Sequence, residues 1–284
     1  MIDCRNGTHA LADASAPQLR INDLAVSHGD GVFESMLASD GALRKPEAHL
    51  RRLTASAAAV DIVSPTAQVW RDAIATALRA HRPCAEALVK LVLSRGLEAT
   101  DTPTAWVYAS DCSGRFDHMR RQGIDTLLLE RGHDSQIGTR APWLLLGSKT
   151  LSYAVNMAAL RHARKHGADD VVFISADGLI LEGPTSNVII ANGSGDSVLL
   201  RTPPPECGIL AGTTQAALFD AAAYRGWRTE FAPLTPDDLL TADGVWLSSS
   251  IRLLAPVNHL DGRALTRSHA LDDALFALLG VARP

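Results

Sequence analysis

The feature of this sequence that most limits its possible folds is a polar stretch near the middle of the chain. It separates two blocks of residues, and each block contains short helix and strand patterns. In the first block, apolar residues recur at helical spacing over 46–61 and 67–80, and strand-like runs cover 87–94 and 104–109. Residues 111–123 (DCSGRFDHMRRQG) contain glycine and lack an apolar period. Patterns of both types then resume. The sequence therefore predicts an α+β fold of two domains that are joined near this stretch.

The predicted domain bounds follow from this break. A smaller α/β domain is expected at 1–115, an interdomain linker at 116–124, and a larger domain at 125–284. A turn at Asp40-Gly41 joins two short strands within 29–45. The larger domain is expected to contain strands at 125–130, 170–175, 187–191 and 245–248, and helices at 151–166, 213–224 and 271–281.

Composition and charge exclude several classes of protein. A net charge of −4 gives no field that favours nucleic acid or an anionic membrane. No apolar run is long enough to span a bilayer, and no signal peptide is visible. We therefore expect a soluble cytoplasmic protein with a small-molecule substrate. The cysteines lack the close spacing of a zinc or redox site, so no metal site is expected; they are Cys4, Cys84, Cys112 and Cys207.

Lys149 is the first candidate for chemistry. It follows the apolar run Leu144 to Leu146, which is typical of a strand, and an alanine-rich helix pattern comes after it. Burying an ammonium group is costly unless it is paired or neutralised. A Schiff base with an aldehyde cofactor would remove that cost. The commoner alternative is a lysine that extends its ammonium group to solvent.

Glu182 is the second candidate, because it lies beside Gly183 between two apolar strand patterns. The ring of pyridoxal 5′-phosphate (PLP) needs a carboxylate at its pyridine nitrogen in order to act as an electron sink. A surface glutamate at a strand end is the alternative. Asn187 could hydrogen-bond near this carboxylate or cap the turn, and the sequence does not separate the two.

Hydroxyl groups provide candidates for phosphate binding. Gly212, Thr213 and Thr214 stand where a helix is predicted to begin, and the N–H groups of a helix N-terminus suit a phosphate. An ordinary helix cap explains the same residues. A second hydroxyl cluster, Ser248 to Ser250, follows a predicted strand, and Arg52 could supply a cationic partner.

These motifs give the sequence a resemblance to the class IV, branched-chain/D-amino-acid type of PLP-dependent aminotransferases, which include the aminodeoxychorismate lyases. The resemblance covers about residues 20–260, and the motifs come in the family's order. They are G-D-G-V-F-E at Gly29 to Glu34, H-L-x-R-L at His49 to Leu53, S-R-G at Ser94 to Gly96, K-T-L-S-Y at Lys149 to Tyr153, E-G-x-x-S-N at Glu182 to Asn187, G-I-L-x-G-x-T at Gly208 to Thr214, and S-S-S-I-R at Ser248 to Arg252.

The resemblance implies a homodimer of two-domain subunits, with the site in the cleft between domains. It implies that Lys149 is the Schiff-base lysine and proton shuttle, and that Glu182 pairs with the pyridine nitrogen. Tyr153 would lie near the cofactor. The implied phosphate contacts are Arg52, Thr213, Thr214, Ser249 and Ser250.

Two departures from the family bear on substrate choice. Thr213-Thr214-Gln215 stands where members often carry Ile-Thr-Arg. D-amino-acid transaminases follow Arg-Gly with an Arg-x-His segment that traps the substrate carboxylate, whereas Arg95-Gly96 is followed here by LEATDTPTAW. We expect Arg95 or Arg252 to bind a substrate carboxylate instead. A structural salt bridge is the alternative for each.

Three functions remain open from the sequence. The preferred one is a PLP-dependent aminodeoxychorismate lyase, which converts 4-amino-4-deoxychorismate to 4-aminobenzoate and pyruvate in folate biosynthesis. S-R-G and S-S-S-I-R-L-L-A-P-V resemble the patterns of these lyases more closely. The alternative is an amino-acid transaminase, for D-amino or branched-chain acids, that uses a keto-acid acceptor. A PLP-fold binding protein without catalysis is the third, and the intact Lys149 and Glu182 argue against it.

Overall fold

A computed structural model of the chain describes residues 1–284 and divides them into two compact units. The first unit comprises Met1–Arg115 and Ser148–Tyr153, and the second comprises Phe116–Gly147 and Ala154–Pro284. Each unit combines helices with its own β-sheet, which confirms the predicted α+β class. None of the helices is both long enough and apolar enough to cross a membrane.

The first unit is a six-stranded sheet covered by helices. Its strand order is β2-β1-β6-β5-β3-β4. Helix α2 packs against β3, and α3 packs against β6. The strands are β1 (Ile2–Asp3), β2 (Thr8–His9), β3 (Gly31–Ser39), β4 (Ala42–Leu43), β5 (Glu86–Ser94) and β6 (Thr104–Asp111), and the helices are α1 (Leu24–Ser27), α2 (Pro46–Ala59) and α3 (Ala67–Ala80).

The sequence explains both long helices of the first unit. Pro46 stands in the first turn of α2, where its missing N–H costs no hydrogen bond, and the buried Leu50 and Leu53 recur on one face. The Thr66 hydroxyl caps α3 by accepting from the Val69 N–H. Both predicted helices are confirmed, with α2 ending two residues early.

Strand β3 presents different residues to its two faces. Val32, Glu34 and Met36 share one face because side chains alternate along a strand. Glu34 bonds to side chains of α2, so this is the helix-covered face. Phe33 and Ser35 point to the opposite face. This alternation decides which of the site residues described below can meet.

The segment that carries Lys149 groups with the first unit, whereas the sequence-based bounds placed it in the larger domain. The Phe33 N–H donates to the Lys149 carbonyl at 3.0 Å, and the Leu151 N–H donates to the Gly31 carbonyl at 2.8 Å. These bonds attach 148–153 to β3. The strand expected just before Lys149 is wrong, since Pro142–Leu144 forms a 3-10 turn and Leu145 adopts a left-handed φ of 54°.

The second unit contains a nine-stranded sheet whose main order is β12-β11-β10-β13-β14-β7-β8, with β9 paired to β10 and β15 to β14. Its strands are β7 (Ile124–Glu130), β8 (Asp170–Ile174), β9 (Glu182–Gly183), β10 (Ser186–Ser194), β11 (Ser197–Thr202), β12 (Arg228–Phe231), β13 (Gly244–Ser249), β14 (Leu253–Leu260) and β15 (Arg263–Ala264). Its helices are α4 (Asp117–Gln122), α5 (Ile137–Arg140), α6 (Ala154–Lys165), α7 (Thr213–Tyr224), α8 (Pro236–Thr241) and α9 (His269–Leu278), with a further 3-10 turn at Pro205–Cys207.

The stretch predicted as a linker, 116–124, is ordered structure of the second unit. It contains α4 and the first residue of β7. Arg120 on α4 is buried, and its guanidinium donates to the carbonyls of Ile251 and Arg252 at 3.0 and 3.1 Å. These bonds satisfy the buried guanidinium of Arg120. The sequence could not reveal them, because the carbonyls lie more than 130 residues away in the chain.

Candidate active site

Lys149 is held against two aromatic rings of the first unit. Its Nζ lies 4.5 Å from the centroid of the Phe33 ring and 3.4 Å from the Tyr153 hydroxyl. The two rings meet edge to face at 5.1 Å. The Lys149 N–H donates to the Ser56 hydroxyl of α2 at 3.1 Å. Lys149 and Tyr153, both predicted from the sequence, are therefore neighbours, and the ammonium group has a defined position.

Arg52 is held by a carboxylate that the sequence reasoning did not assign. Its Nε and Nη2 donate to the two oxygens of Glu34 at 2.6 and 3.0 Å. Glu34 is completely buried, and its Oε2 also lies 2.7 Å from Nδ1 of His49. The motif that contains Glu34 and the motif that contains His49 and Arg52 were both noted in the sequence, but they were not connected. Side chains alternate along β3, and this alternation could have indicated that Glu34 points toward Arg52 on α2.

Arg95 has partners that agree with its structural alternative. Its Nε donates to Asp30 at 2.6 Å, and its Nη2 donates to the Val60 carbonyl at 2.6 Å. Arg252 is likewise paired, with its Nη1 at 2.8 Å from Asp170 and both side chains buried. The structure thus ties both predicted substrate arginines into internal ion pairs.

Lys90 is a cation that the sequence reasoning missed. It lies on β5 opposite Ser35, on the sheet face of Phe33. Its Nζ is 5.9 Å from the centroid of the same Phe33 ring that Lys149 contacts, and it forms no ion pair within the chain. Two ammonium groups therefore flank one ring. The signal in the sequence was a lysine in the middle of an apolar strand, V-K-L-V-L.

In the second unit, Glu182 and Asn187 both bond to the backbone of Leu210. The Leu210 N–H donates to Glu182 Oε2 at 3.1 Å, and the Asn187 amide donates to the Leu210 carbonyl at 2.7 Å. Glu182 and Asn187 face each other across the β9–β10 pair. A Cβ atom at Gly212 would overlap the Asn187 amide oxygen. Glycine is therefore required where the Gly208–Gly212 loop passes these two side chains.

Hydroxyl groups gather at the start of α7. The Thr213 and Ser250 hydroxyls lie 3.2 Å apart, and Gly212 stands at the N-cap without a side-chain cap. The buried Ser248 hydroxyl has no hydrogen-bond partner. Thr214 and Ser249 are half-buried and form no side-chain hydrogen bond. Backbone N–H groups at a helix N-terminus, together with nearby hydroxyls, form a set of donors that suits an anion.

Comparison with known proteins decides the family. The profile of the family described as amino-transferase class IV matches residues 31–260, which is most of the chain. The chain belongs to the class IV aminotransferase family. It is 45% identical over 258 residues to the bifunctional aminodeoxychorismate lyase / D-amino acid transaminase of Mycobacterium tuberculosis, with 89% of each protein covered.

Solved structures of related proteins have the same fold. A fold IV transaminase from Curtobacterium pusillum is 44% identical with a TM-score of 0.89, covering 95% of this chain and 93% of that one. The PLP-bound form of a hypothetical aminotransferase from Mycobacterium tuberculosis is 42% identical with a TM-score of 0.92, covering 98% and 96%. This class IV aminotransferase therefore has the fold type IV architecture.

As a class IV aminotransferase, the chain is a PLP-dependent enzyme. Its own residues fit that cofactor. The hydroxyls and helix N-terminus around Thr213 and Ser250 suit a phosphate, and Lys149 has a fixed ammonium group. Glu182 is the carboxylate held beside the same loop as the hydroxyls. The family and cofactor expected from the sequence motifs are confirmed.

Proposed function

We propose that this enzyme is an aminodeoxychorismate lyase, which converts 4-amino-4-deoxychorismate to 4-aminobenzoate and pyruvate. The observation that carries the proposal is the segment after Arg95-Gly96, which contains no arginine or histidine before Trp106. A transaminase needs a positioned donor for the α-carboxylate beside the reacting carbon. The lyase substrate carries its amine on a ring, with its carboxylates farther away. The 45% identity to a relative whose name includes this lyase supports the assignment.

Lys149 performs the central steps in this proposal. Lys149 would hold PLP covalently, and once the amine of the substrate has taken its place its free amine would act as the base. When bound, PLP withdraws electrons from the carbon that carries the amine. The Lys149 amine would take the proton from that carbon, and the bond between the ring and the enolpyruvyl oxygen would break as the ring becomes aromatic. Lys149 would return the proton to the departing enolate, which leaves as pyruvate, and would then displace 4-aminobenzoate and hold the cofactor again. The Tyr153 hydroxyl, 3.4 Å from Nζ, keeps the amine in position between these steps.

The remaining predicted residues hold the cofactor. In our proposal Glu182 pairs with the pyridine nitrogen, and Asn187 fixes the Leu210 peptide beside it. Arg52, Thr213, Thr214, Ser249 and Ser250 contact the phosphate. The Thr213 and Ser250 hydroxyls are already neighbours, 3.2 Å apart, and both can donate a hydrogen bond to an anionic group.

Lys90 is our candidate for binding a carboxylate of the substrate. Arg95 and Arg252 are held by Asp30 and Asp170, so their charges are balanced within the protein. The charge of Lys90 has no acidic partner, and its ammonium group contacts the same ring as that of Lys149. A carboxylate bound by Lys90 would lie on the sheet face that carries the reacting lysine.

One observation favours transamination of D-amino acids as a second activity. The relative that is 45% identical is named a bifunctional lyase and D-amino acid transaminase. Lys149 could move the abstracted proton onward to the cofactor, and a keto acid would complete that cycle. We propose this as the lesser activity, because the basic trap after Arg95-Gly96 is missing.

We also propose that the enzyme is a homodimer, as the family resemblance implies. Ile21 and Val26 are exposed apolar side chains in one short segment of the first unit. Two-fold symmetric assembly is the commonest state of soluble oligomers. Light scattering should give twice the 30.2 kDa mass of the chain under assay conditions. An active monomer at that concentration would contradict the proposal.

A paired assay tests the function. Purified enzyme is supplied with enzymatically generated 4-amino-4-deoxychorismate and no keto acid, and 4-aminobenzoate release is followed. The lyase needs no amino acceptor, so release should continue over many turnovers. D-Alanine and L-leucine are tested in parallel with 2-oxoglutarate and should react slowly or not at all. Efficient transamination without any 4-aminobenzoate would replace the lyase with the transaminase.

A further inference from the structure

We propose that Glu34 is a positioning residue, which directs the guanidinium of Arg52 toward the phosphate of the cofactor without touching the cofactor itself. The proposal rests on the proposed role of Arg52 as a phosphate contact. A guanidinium recognises a phosphate by its direction as well as its charge, because its N–H groups point outward in a rigid plane. Whatever fixes that plane therefore contributes to phosphate binding.

The contact between the two residues defines the plane of the guanidinium. Arg52 Nε and Nη2 donate to separate oxygens of Glu34, at 2.6 and 3.0 Å. This two-point geometry restricts rotation about the last bonds of the arginine side chain. Restricting the free side chain before the cofactor arrives reduces the conformational entropy that binding would otherwise cost.

Glu34 is itself held rigidly. Its oxygens receive further bonds from His49 Nδ1 at 2.7 Å and from the Ser35 N–H at 3.2 Å. The residue lies in the middle of β3, directly opposite Leu91 of β5, and its side chain is completely buried. His49 and Arg52 are three residues apart on α2, so they extend from one face of that helix. The sheet and the helix thus fix both ends of the contact.

The carboxyl of Glu34 carries a full charge at neutral pH. Burial opposes ionisation, but the bonds from His49 and the charge of Arg52 outweigh it and lower the pKa of Glu34 to about 2. The bonds to Arg52 are therefore charge-assisted, which are the strong and directional ones.

Two roles for Glu34 make opposite predictions. If Glu34 only balanced the charge of Arg52, replacing it with a neutral residue would strengthen the attraction between Arg52 and a phosphate. If Glu34 orients Arg52, the same replacement would weaken phosphate binding, because the guanidinium would lose its fixed direction. The sign of the change therefore separates orientation from charge balance.

The experiment compares PLP with pyridoxal, which lacks the phosphate, on the apoenzyme. Dissociation constants are measured by quenching of protein fluorescence, and the ratio of the pyridoxal value to the PLP value reports phosphate recognition alone. In Glu34→Gln the ratio should fall about tenfold or more, on the usual cost of losing a charge-assisted hydrogen bond. Glu47→Gln is the matched control, since Glu47 forms a similar two-point contact with Arg71 on the exposed side of α2. Its ratio should not change.

Further variants keep each outcome interpretable. Arg52→Lys retains the charge but not the planar donor pair, so its ratio should also fall, and it carries the test if Glu34→Gln does not fold. Arg52→Gln should lower the ratio most. An unchanged ratio in Arg52→Gln would remove the phosphate role of Arg52, and the proposal with it. A lowered ratio in Arg52→Gln with an unchanged or raised ratio in Glu34→Gln would overturn only the positioning role of Glu34.

Discussion

The Lys149 ammonium nitrogen lies 4.5 Å from the centroid of the Phe33 ring, and the same ring is 5.9 Å from the ammonium nitrogen of Lys90. Phe33 belongs to β3, whereas Lys149 belongs to a segment more than a hundred residues later in the chain. The attraction between a cation and an aromatic face holds the reactive lysine on this sheet. We assign Lys149 to the covalent attachment of PLP and Lys90 to substrate binding, and both ammonium groups lie beside the Phe33 ring.

Replacing Tyr153 with phenylalanine separates the ring of this residue from its hydroxyl. The ring contact with Phe33 should remain, so the free energy of unfolding should change by less than about 0.5 kcal/mol. The hydroxyl bond to Lys149 is lost, and we expect turnover to fall by about an order of magnitude while PLP still binds. Steady-state kinetics and urea unfolding measure the two effects. Wild-type turnover would show that the hydroxyl has no part in the reaction.

Glu182→Gln tests the carboxylate proposed to face the pyridine nitrogen. Glutamine keeps an oxygen that can accept from the Leu210 N–H, so the loop should keep its position. The negative charge that favours a protonated ring is lost. We expect PLP binding to persist and turnover to fall by one or more orders of magnitude. Absorbance titration with PLP measures the first quantity and the lyase assay the second. Retained turnover would argue decisively against this role.

Lys90→Gln tests the proposed carboxylate contact. Because Lys90 forms no ion pair within the chain, its loss should leave the fold unchanged. Removing a charge-assisted bond to the substrate should raise KM about tenfold or more, with kcat changed by less than about twofold. Lys165→Gln, at the exposed end of α6, is the control and should behave as wild type. An unaltered KM in Lys90→Gln would exclude the contact.

The buried carboxyl of Glu34 predicts how stability depends on pH. Its pKa is held at about 2, below its ordinary value of 4.5, because His49 and Arg52 outweigh the effect of burial. A carboxyl with a lowered folded-state pKa stabilises the protein above pH 4.5, and this contribution is lost as the pH falls toward 2. As the pH falls from 4.5 to 2, the free energy of unfolding should therefore decrease less in Glu34→Gln than in wild type, by on the order of 3 kcal/mol. Urea unfolding at a series of pH values measures this, and identical slopes for both proteins would be inconsistent with it.

Local sequence signals predicted many of the longer regular elements, but not β11, β12, β14 or α8. Pro46, Leu50 and Leu53 specify α2 through a first-turn proline and helical spacing, and the apolar run of β5 specifies a buried strand. The short motifs and their order along the chain also indicated the family and the cofactor, because each motif is a run of consecutive residues that can be recognised without knowing the fold.

Contacts between distant segments could not be read from local patterns. The attachment of Lys149 to β3 depends on backbone bonds to Gly31 and Phe33. The pairs Arg95–Asp30 and Arg252–Asp170 join residues 65 and 82 positions apart. Strand β14 was missed, although it lies between β13 and β7. Its Pro256 argues against a central strand, but pairing with β7 begins only at the following residue, so the missing N–H costs no bond there.

Covalent attachment of PLP at Lys149 is the central claim, and peptide mass spectrometry after borohydride reduction tests it most directly. Reduction makes the link between lysine and cofactor permanent, and digestion then locates it. The chain has four lysines: Lys45, Lys90, Lys149 and Lys165. We predict that the cofactor mass is found on the Lys149 peptide in wild type, and that the adduct and nearly all turnover are absent in Lys149→Ala. An adduct on Lys90, or an active Lys149→Ala enzyme, would contradict the account.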